Sequence, residues 1–326
     1  MGSFQRCVHH HYLFDKEDDN YVFSTGYAQL RTKVDCGYLF TLIQSSTFVQ
    51  KVLEECTGTS YPSINPTSLS KINVKVVENS DIQKKISCYF KNFDLLIQST
   101  AKKIESLKQV KAASMQSMFP AVGERRPIVR FCGFNDDWKR VKLSECLDIS
   151  KDINSSNAYS KEDVLSVSEE AGVVNQIEYL GRSYAGKSVS NYKILKKGQI
   201  VYTKSPLKAK PFGIIKENIG ETGIVSVLYA IYNVKTGVDA SYLHYYFDPS
   251  WRLNNYIRPL VNKGAKNTMN ISDETALEGY IYIPSYHEQQ KIASFFSNLD
   301  KQISLYEQRL GKLKNIKSAC LDGMFV

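Results

Sequence analysis

Ile82-Gln83-Lys84-Lys85-Ile86 aligns with Glu288-Gln289-Gln290-Lys291-Ile292, and the match continues without a gap at a constant offset of 206 residues. Phe90 falls on Phe296, Asp94 on Asp300, Ile97 on Ile303, Ile104 on Leu310, Leu107 on Leu313, Lys111 on Lys317, and Met118-Phe119 on Met324-Phe325. That offset is too long for a solenoid repeat. It implies two large units, each closed by the same kind of helix, with approximate internal two-fold symmetry.

Both segments carry a heptad seam. Positions 86, 90, 93, 97, 100, 104, 107, 111, 114 and 118 follow a four-three spacing, and so do 292, 296, 299, 303, 306, 310, 313, 317, 320 and 324. Each seam begins large and apolar and weakens toward its end. Neither segment contains proline. Ser285-x-x-Glu288 fits a capping box at the second helix, with Ser80-x-x-Gln83 as its counterpart. At about 1.5 Å per residue, each helix is roughly 55 Å long. A seam of that length needs a partner, and the other helix is the obvious one; two unrelated core helices would explain the seams but not their residue-by-residue match.

The chain has 326 residues, enough for two domains, and a hydrophobic content of 43% that supports buried cores. No apolar run is long enough to span a bilayer, and the first 20 residues contain no apolar secretion core. The seven cysteines are scattered, with no C-x-x-C pair, which reads as reduced thiols in a cytoplasm. Cys7 and His9-His10-His11 lack a second ligand cluster, so no metal site is expected there. The formal net charge is +9. Nine basic residues and one acid lie in residues 178–216, so this stretch holds +8 of it, with Tyr179, Tyr184, Tyr192 and Tyr202 interleaved. Such clustering is the footprint of a polyanion-binding surface, although a solvated lysine-rich face is the plainer alternative.

Residues 120–127 read as a linker broken by proline and glycine. Residues 128–284 carry short β-branched and aromatic runs: Gln199–Thr203, Gly213–Ile215, Gly223–Tyr232 and Tyr280–Ile283. Asp239 to Tyr256 reads as helical, interrupted at Asp248-Pro249. The expected class is α+β, with domains of short strands and helices separated by two long helices in an antiparallel coiled coil. Ahead of the first helix, Gly37-Tyr-Leu-Phe40 parallels Ser241-Tyr-Leu-His244, while residues 131–206 have no counterpart. The expected division is a shortened first domain at 1–79, helix at 80–119, linker at 120–127, second domain at 128–284 and helix at 285–326.

Gly181-Arg-Ser-Tyr-Ala-Gly186-Lys187-Ser188 satisfies the phosphate-loop pattern G-x-x-x-x-G-K-[ST]. A working phosphate loop needs a buried strand before it and a helix after it. Gln176–Leu180 is a poor strand, Gly198 follows soon after, and no Walker B run is present. The better reading is a glycine-bent basic loop that meets a different phosphate, that of DNA. His287-Glu288-Gln289-Gln290 lacks the second histidine of a zincin, Phe131-Cys-Gly133 lacks the second glycine of a methyltransferase cofactor loop, and no hydrolase triad can be placed.

Val129-Arg-Phe131-Cys-Gly-Phe-Asn-Asp-Asp-Trp138-Lys-Arg-Val-Lys-Leu143 resembles the opening of a target recognition domain. Pro284-Ser-Tyr-His-Glu288-Gln289-Gln290-Lys-Ile292 through Asp300 resembles the conserved region that follows one, and Ser190-Asn-Tyr192 through Tyr202 and Thr57-Gly-Thr-Ser-Tyr-Pro-Ser-Ile-Asn65 fit the same pattern. The family is the specificity (S) subunit of type I restriction–modification systems, and the resemblance covers nearly the whole chain. It implies two target recognition domains held apart by the helices, each reading one half of a split double-stranded DNA sequence. Methylation and cleavage then belong to separate modification (methyltransferase) and restriction (translocase and nuclease) subunits, so this chain is expected to be no enzyme, to need no cofactor or metal, and to be cytoplasmic. Arg182, Lys187, Lys204, Lys208 and Lys210 are the expected DNA contacts, followed by Lys263, Lys266 and Asn267; Thr59, Ser60, Tyr61 and Asn65 occupy the matching loop of the first domain. The short front suggests recognition of one half-site, with a homodimer supplying the other. The rival readings are a P-loop NTPase using Gly181–Ser188 and a structural coiled-coil adaptor without DNA specificity.

Overall fold

The computed structural model describes residues 13, 27–58, 63–204, 210–263 and 269–325, with backbone alone at 262–263 and 269–270. The chain divides into two units, residues 1–107 with 302–326, and residues 108–301. Its helices are α1 (Cys36–Leu42), α2 (Ser46–Glu55), α3 (Pro66–Ser70), the long α4 (Ser80–Ser117), α5 (Gln176–Leu180), α6 (Ala240–Phe247), α7 (Ser250–Ile257) and the long α8 (Tyr286–Met324).

The first unit is helical in its described part. Asp35, Ser45 and Asn65 cap α1, α2 and α3, each accepting from a backbone N–H of its helix's first turn. Tyr38 and Leu42 of α1 form a buried cluster with Phe90 of α4 and with Leu321 and Phe325 at the end of α8. Phe90 meets Phe325, and Asp94 meets Lys317 at 2.6 Å, so here the two long helices run antiparallel.

The second unit is α+β. Its strands are β1 (Lys139–Lys142), β2 (Leu147–Ile149), β3 (Leu165–Ser168), β4 (Gly172–Asn175), β5 (Lys193–Leu195), β6 (Ile200–Tyr202), β7 (Ile215–Glu217), β8 (Gly223–Val225), β9 (Ala230–Val234), β10 (Asn262–Lys263), β11 (Met269–Asn270) and β12 (Tyr280–Ile283). A four-stranded antiparallel sheet has the order β2-β9-β6-β7, and β1–β12, β3–β4, β5–β8 and β10–β11 form two-stranded ribbons. Strand alternation sends Ile200, Tyr202 and Tyr232 toward Leu243 and Phe247 of α6 and Ile257 of α7. The opposite face carries Val201 and Ile231, packed with Val173, Leu195 and Val225. The central strands are therefore buried on both faces. The run Gly223–Tyr232 divides, because the turn at Ser226–Tyr229 sends β8 to β5 and β9 to the main sheet. Asp248-Pro249 does interrupt a helix, with Pro249 at the N-cap of α7.

The duplication is legible in the contacts that close each unit. In the second unit Gln289 accepts from Asp239 N (3.0 Å) and donates to Pro284 O (3.0 Å). Asp239 caps α6 at Tyr242 N (2.8 Å), and Tyr242 Oη donates to Tyr282 O (3.1 Å). In the first unit Gln83 accepts from Asp35 N (3.1 Å) and donates to Val77 O (2.6 Å). Asp35 caps α1 at Tyr38 N (2.8 Å), and Tyr38 Oη accepts from Val77 N (3.1 Å). Phe119 lies against Phe296 and Tyr242, and Phe325 against Phe90 and Tyr38. Lys111 pairs with Asp300 at 2.7 Å, as Lys317 pairs with Asp94. Gln83 and Gln289, Phe90 and Phe296, Asp94 and Asp300, Lys111 and Lys317, and Phe119 and Phe325 are counterparts at the offset of 206, with the parts of α4 and α8 exchanged; Asp35 and Tyr38 match Asp239 and Tyr242 at 204, and Val77 takes the places of both Tyr282 and Pro284.

The seam positions are buried or half-buried along both helices except Met324, which is 49% exposed; Phe325 takes its place in the core. The capping boxes differ from expectation. Asn79, not Ser80, caps α4, accepting from Asp81 N and Ile82 N, and Gln83 is occupied by the contacts above. At α8, Ser285 Oγ accepts from Glu288 N at 3.4 Å, but the Glu288 carboxylate turns to Arg130, at 2.9 and 2.7 Å. A guanidinium fork offers two charge-assisted bonds where the cap offers one neutral N–H.

Candidate nucleic-acid interface

The loop after α5 carries the most exposed cation–aromatic group of the basic stretch. Asn175 caps α5, and Gly181 ends it in the left-handed conformation at φ 76°, its N–H donating to Ile177 O. Gln176 Oε1 accepts from Tyr184 N at 2.6 Å, and Val189 anchors the loop in a buried cluster with Val164 and Ile224. Arg182 lies over the Tyr184 ring, 4.6 Å from its centre, and Tyr184 is 60% exposed. Tyr179, Lys187 and Lys197 are also exposed. The phosphate-loop pattern therefore follows a five-residue helix, and a turn to β5 follows it. Strand and helix are both missing from its flanks, so the nucleotide-binding reading is not favoured.

The remaining described lysines of the stretch are engaged by acids from elsewhere. Lys196 pairs with Asp152 at 2.8 Å. Lys193 and Lys204 both bind Asp273, at 2.9 and 2.5 Å. Lys210 is 6% exposed and reaches Asp248 O (2.9 Å) and Glu169 (3.1 Å); Lys216 is 4% exposed and pairs with Asp248 Oδ1 at 2.7 Å. Despite burial, which would raise it, the Lys216 ammonium holds the Asp248 carboxyl down at about 2. Burial pushes the neighbouring His244 down to about 3, with Lys216 adding to the shift. The +8 counted along the sequence is thus only partly a surface charge. Lys208, Lys266, Asn267, Thr59, Ser60, Tyr61, Cys7 and His9–His11 lie outside the described residues, as does the Lys263 side chain. Asn65 serves as the cap of α3.

One group escaped the sequence reading. On the β1–β12 ribbon, Arg140 stacks over Tyr280 at 3.9 Å, with Lys142 at 5.9 Å from the same ring. All three are exposed. The signal was present as alternation, since Arg140 and Lys142 are two apart on one strand and so share a face.

A family model for the type I restriction modification DNA specificity domain matches residues 7–109 and 135–315. The chain belongs to this family. It is a DNA-specificity chain of the type I restriction–modification class. Each matched segment takes in the sequence before a long helix and much of that helix, in register with the duplication. No curated protein matches the sequence. Among solved structures, the specificity chain is similar to the type I restriction–modification S subunit from M. genitalium, at 13% identity and a TM-score of 0.53, covering 90% of this chain and 73% of that one. It is also similar to a chain from a structure on complex assembly and conformational transition of the type I R-M system, at 15% identity and a TM-score of 0.50, covering 90% and 71%. The HsdS subunit from Thermoanaerobacter tengcongensis aligns at 17% identity and a TM-score of 0.48, covering 90% and 70%. For the first two, at these identities, the likeness is one of fold.

Proposed function

We propose that the chain directs modification and restriction subunits to a split duplex target and performs no catalysis itself. Residues 128–284 act as one target recognition domain and residues 1–79 as a shortened one. The observation that carries the DNA-contact assignment is Arg182 stacked on exposed Tyr184 beside Lys187, on a loop pinned to the core through Val189. A guanidinium presented on an aromatic ring loses little freedom when it meets phosphate or a base edge. Lys210, 6% exposed and held by Glu169 and the Asp248 carbonyl, is reassigned to the framework, and the outer surface relies on Arg182, Lys187 and Lys197. Arg140 and Lys142 with Tyr280 form a second exposed basic surface.

The test is charge reversal at Arg182 and Lys187 together. The slope of log affinity against log salt should flatten by about 0.9 for each phosphate contact removed, so by roughly 2. Unchanged affinity and slope in the double variant would remove this loop from the interface. A chain that binds no duplex at all would favour the coiled-coil adaptor.

A further inference from the structure

Asp273 lies just past β11, and its carboxylate joins two lysines from separate strands. Lys193 opens β5 and donates to Oδ2 at 2.9 Å; Lys204, two residues beyond β6, donates to Oδ1 at 2.5 Å. The acid is itself fixed, because its carbonyl accepts from Tyr232 Oη at 3.1 Å, and Tyr232 is buried in the main sheet. Lys193 is held a second time by Tyr229 O at 2.8 Å. An ammonium has three donors. Lys193 uses two and Lys204 one, so three remain. The side chains of Lys193 and Lys204 keep 20% and 22% exposure, enough to reach a ligand from solvent. The group carries a net charge of +1.

Lys204 adds an independent sign. Its φ is 54°, the left-handed region that costs a residue with a Cβ about 1 kcal/mol or more. Backbone strain of this kind persists where the surrounding structure fixes it, and it concentrates at binding sites. The hydrogen bonds from Lys204 and Lys193 hold Asp273 below the usual carboxylate range, against the opposing effect of burial. The acid therefore stays ionised and keeps the two cations together; without it they would repel each other and spread.

We propose that Asp273 is a positioning residue for DNA recognition, holding Lys193 and Lys204 at the spacing that receives two oxygens of one backbone phosphate. Two ammoniums that already share one carboxylate are placed to share one phosphate on their remaining donors. This rests on the DNA-recognition reading of the chain. It assigns a favourable role to an acid that simple charge counting would treat as a competitor for the lysines.

The experiment uses the full chain and duplexes of about 30 base pairs enriched from a randomised pool, titrated from roughly 50 to 200 mM salt. If the acid positions the lysines, Asp273→Asn should weaken binding by about tenfold although it removes a negative charge, a factor of about 1.4 kcal/mol. The salt slope should fall by up to about one contact, and Asp273→Glu should recover most of the affinity. If the acid merely competes, Asp273→Asn should bind as well as or better than the parent, with a steeper slope, and that result overturns the proposal. Should Asp273→Asn fail to fold, Lys204→Met decides in its place: a loss of slope supports the assignment and unchanged binding refutes it. A parent chain that enriches no duplex would refute the DNA reading itself, which is a distinguishable outcome.

Discussion

Replacing Arg130 with methionine tests how the opening of the second unit is fastened to α8. Arg130 makes two bonds to Glu288, at 2.9 and 2.7 Å, and a third to Asp136 O at 2.8 Å. The side chains are 13% and 2% exposed, so the variant would leave the Glu288 carboxylate buried without its partner. Removing one member of such a pair costs about 3–5 kcal/mol. The residual exposure of Arg130 admits some water, which places the expected loss near the lower end, about 3 kcal/mol. Glu288→Met should also destabilise. It strands the guanidinium and removes an acid from the first turn of α8, where it interacts with the helix dipole for about 0.3–1 kcal/mol. The double methionine variant should lose much less than the sum, because the charges leave together and the replacements are apolar. A double-mutant cycle in urea is the appropriate assay, since guanidinium would screen the pair. We expect a coupling of about 2 kcal/mol or more. Additive single effects, or a loss below about 1 kcal/mol in Arg130→Met, would show that the pair behaves as a solvated surface bridge and would refute the reasoning.

Acid should weaken the second unit. The unfolded chain protonates His244 near 6.5 and the folded one only near 3, so stability is complete above 6.5 and falls by up to about 1.4 kcal/mol per unit as pH drops toward 3. Asp248, held near 2, adds a further loss below 3.8, and His244→Asn should flatten the urea-midpoint profile between pH 5 and 6.5 if this assignment is right. Phe119→Ala, at a residue 1% exposed, should cost about 3–5 kcal/mol in the second unit. Phe325→Ala, at 9% exposure, should cost somewhat less in the first, and hydrogen exchange resolved by unit would separate the two. Magnesium with ATP or GTP should leave the melting temperature unchanged; stoichiometric binding lost in Lys187→Ala would restore the nucleotide reading.

The sequence by itself determined the duplicated helices, their seams, the short strands and the break at Asp248-Pro249. These are properties of one element read along itself. A buried stripe must recur every 3.5 residues or so whatever packs on it, and a proline interrupts a helix wherever the helix lies. The match of Gly37–Phe40 to Ser241–His244 likewise survived, because Asp35 and Asp239 cap the same turn in each unit. The tertiary structure alone decided where the charges went. Lys204 finds its acid 69 residues away, Arg130 finds Glu288 at a separation of 158, and neither partner is marked by spacing. Lys210 has no acid beside it in sequence, yet the fold brings it Glu169 and the Asp248 carbonyl, and it brings the Asp248 carboxylate to Lys216. An ammonium buried in a poorly solvated interior must meet a carboxylate or carbonyl there, so the division of a basic stretch into framework and surface depends on which partners the fold brings near.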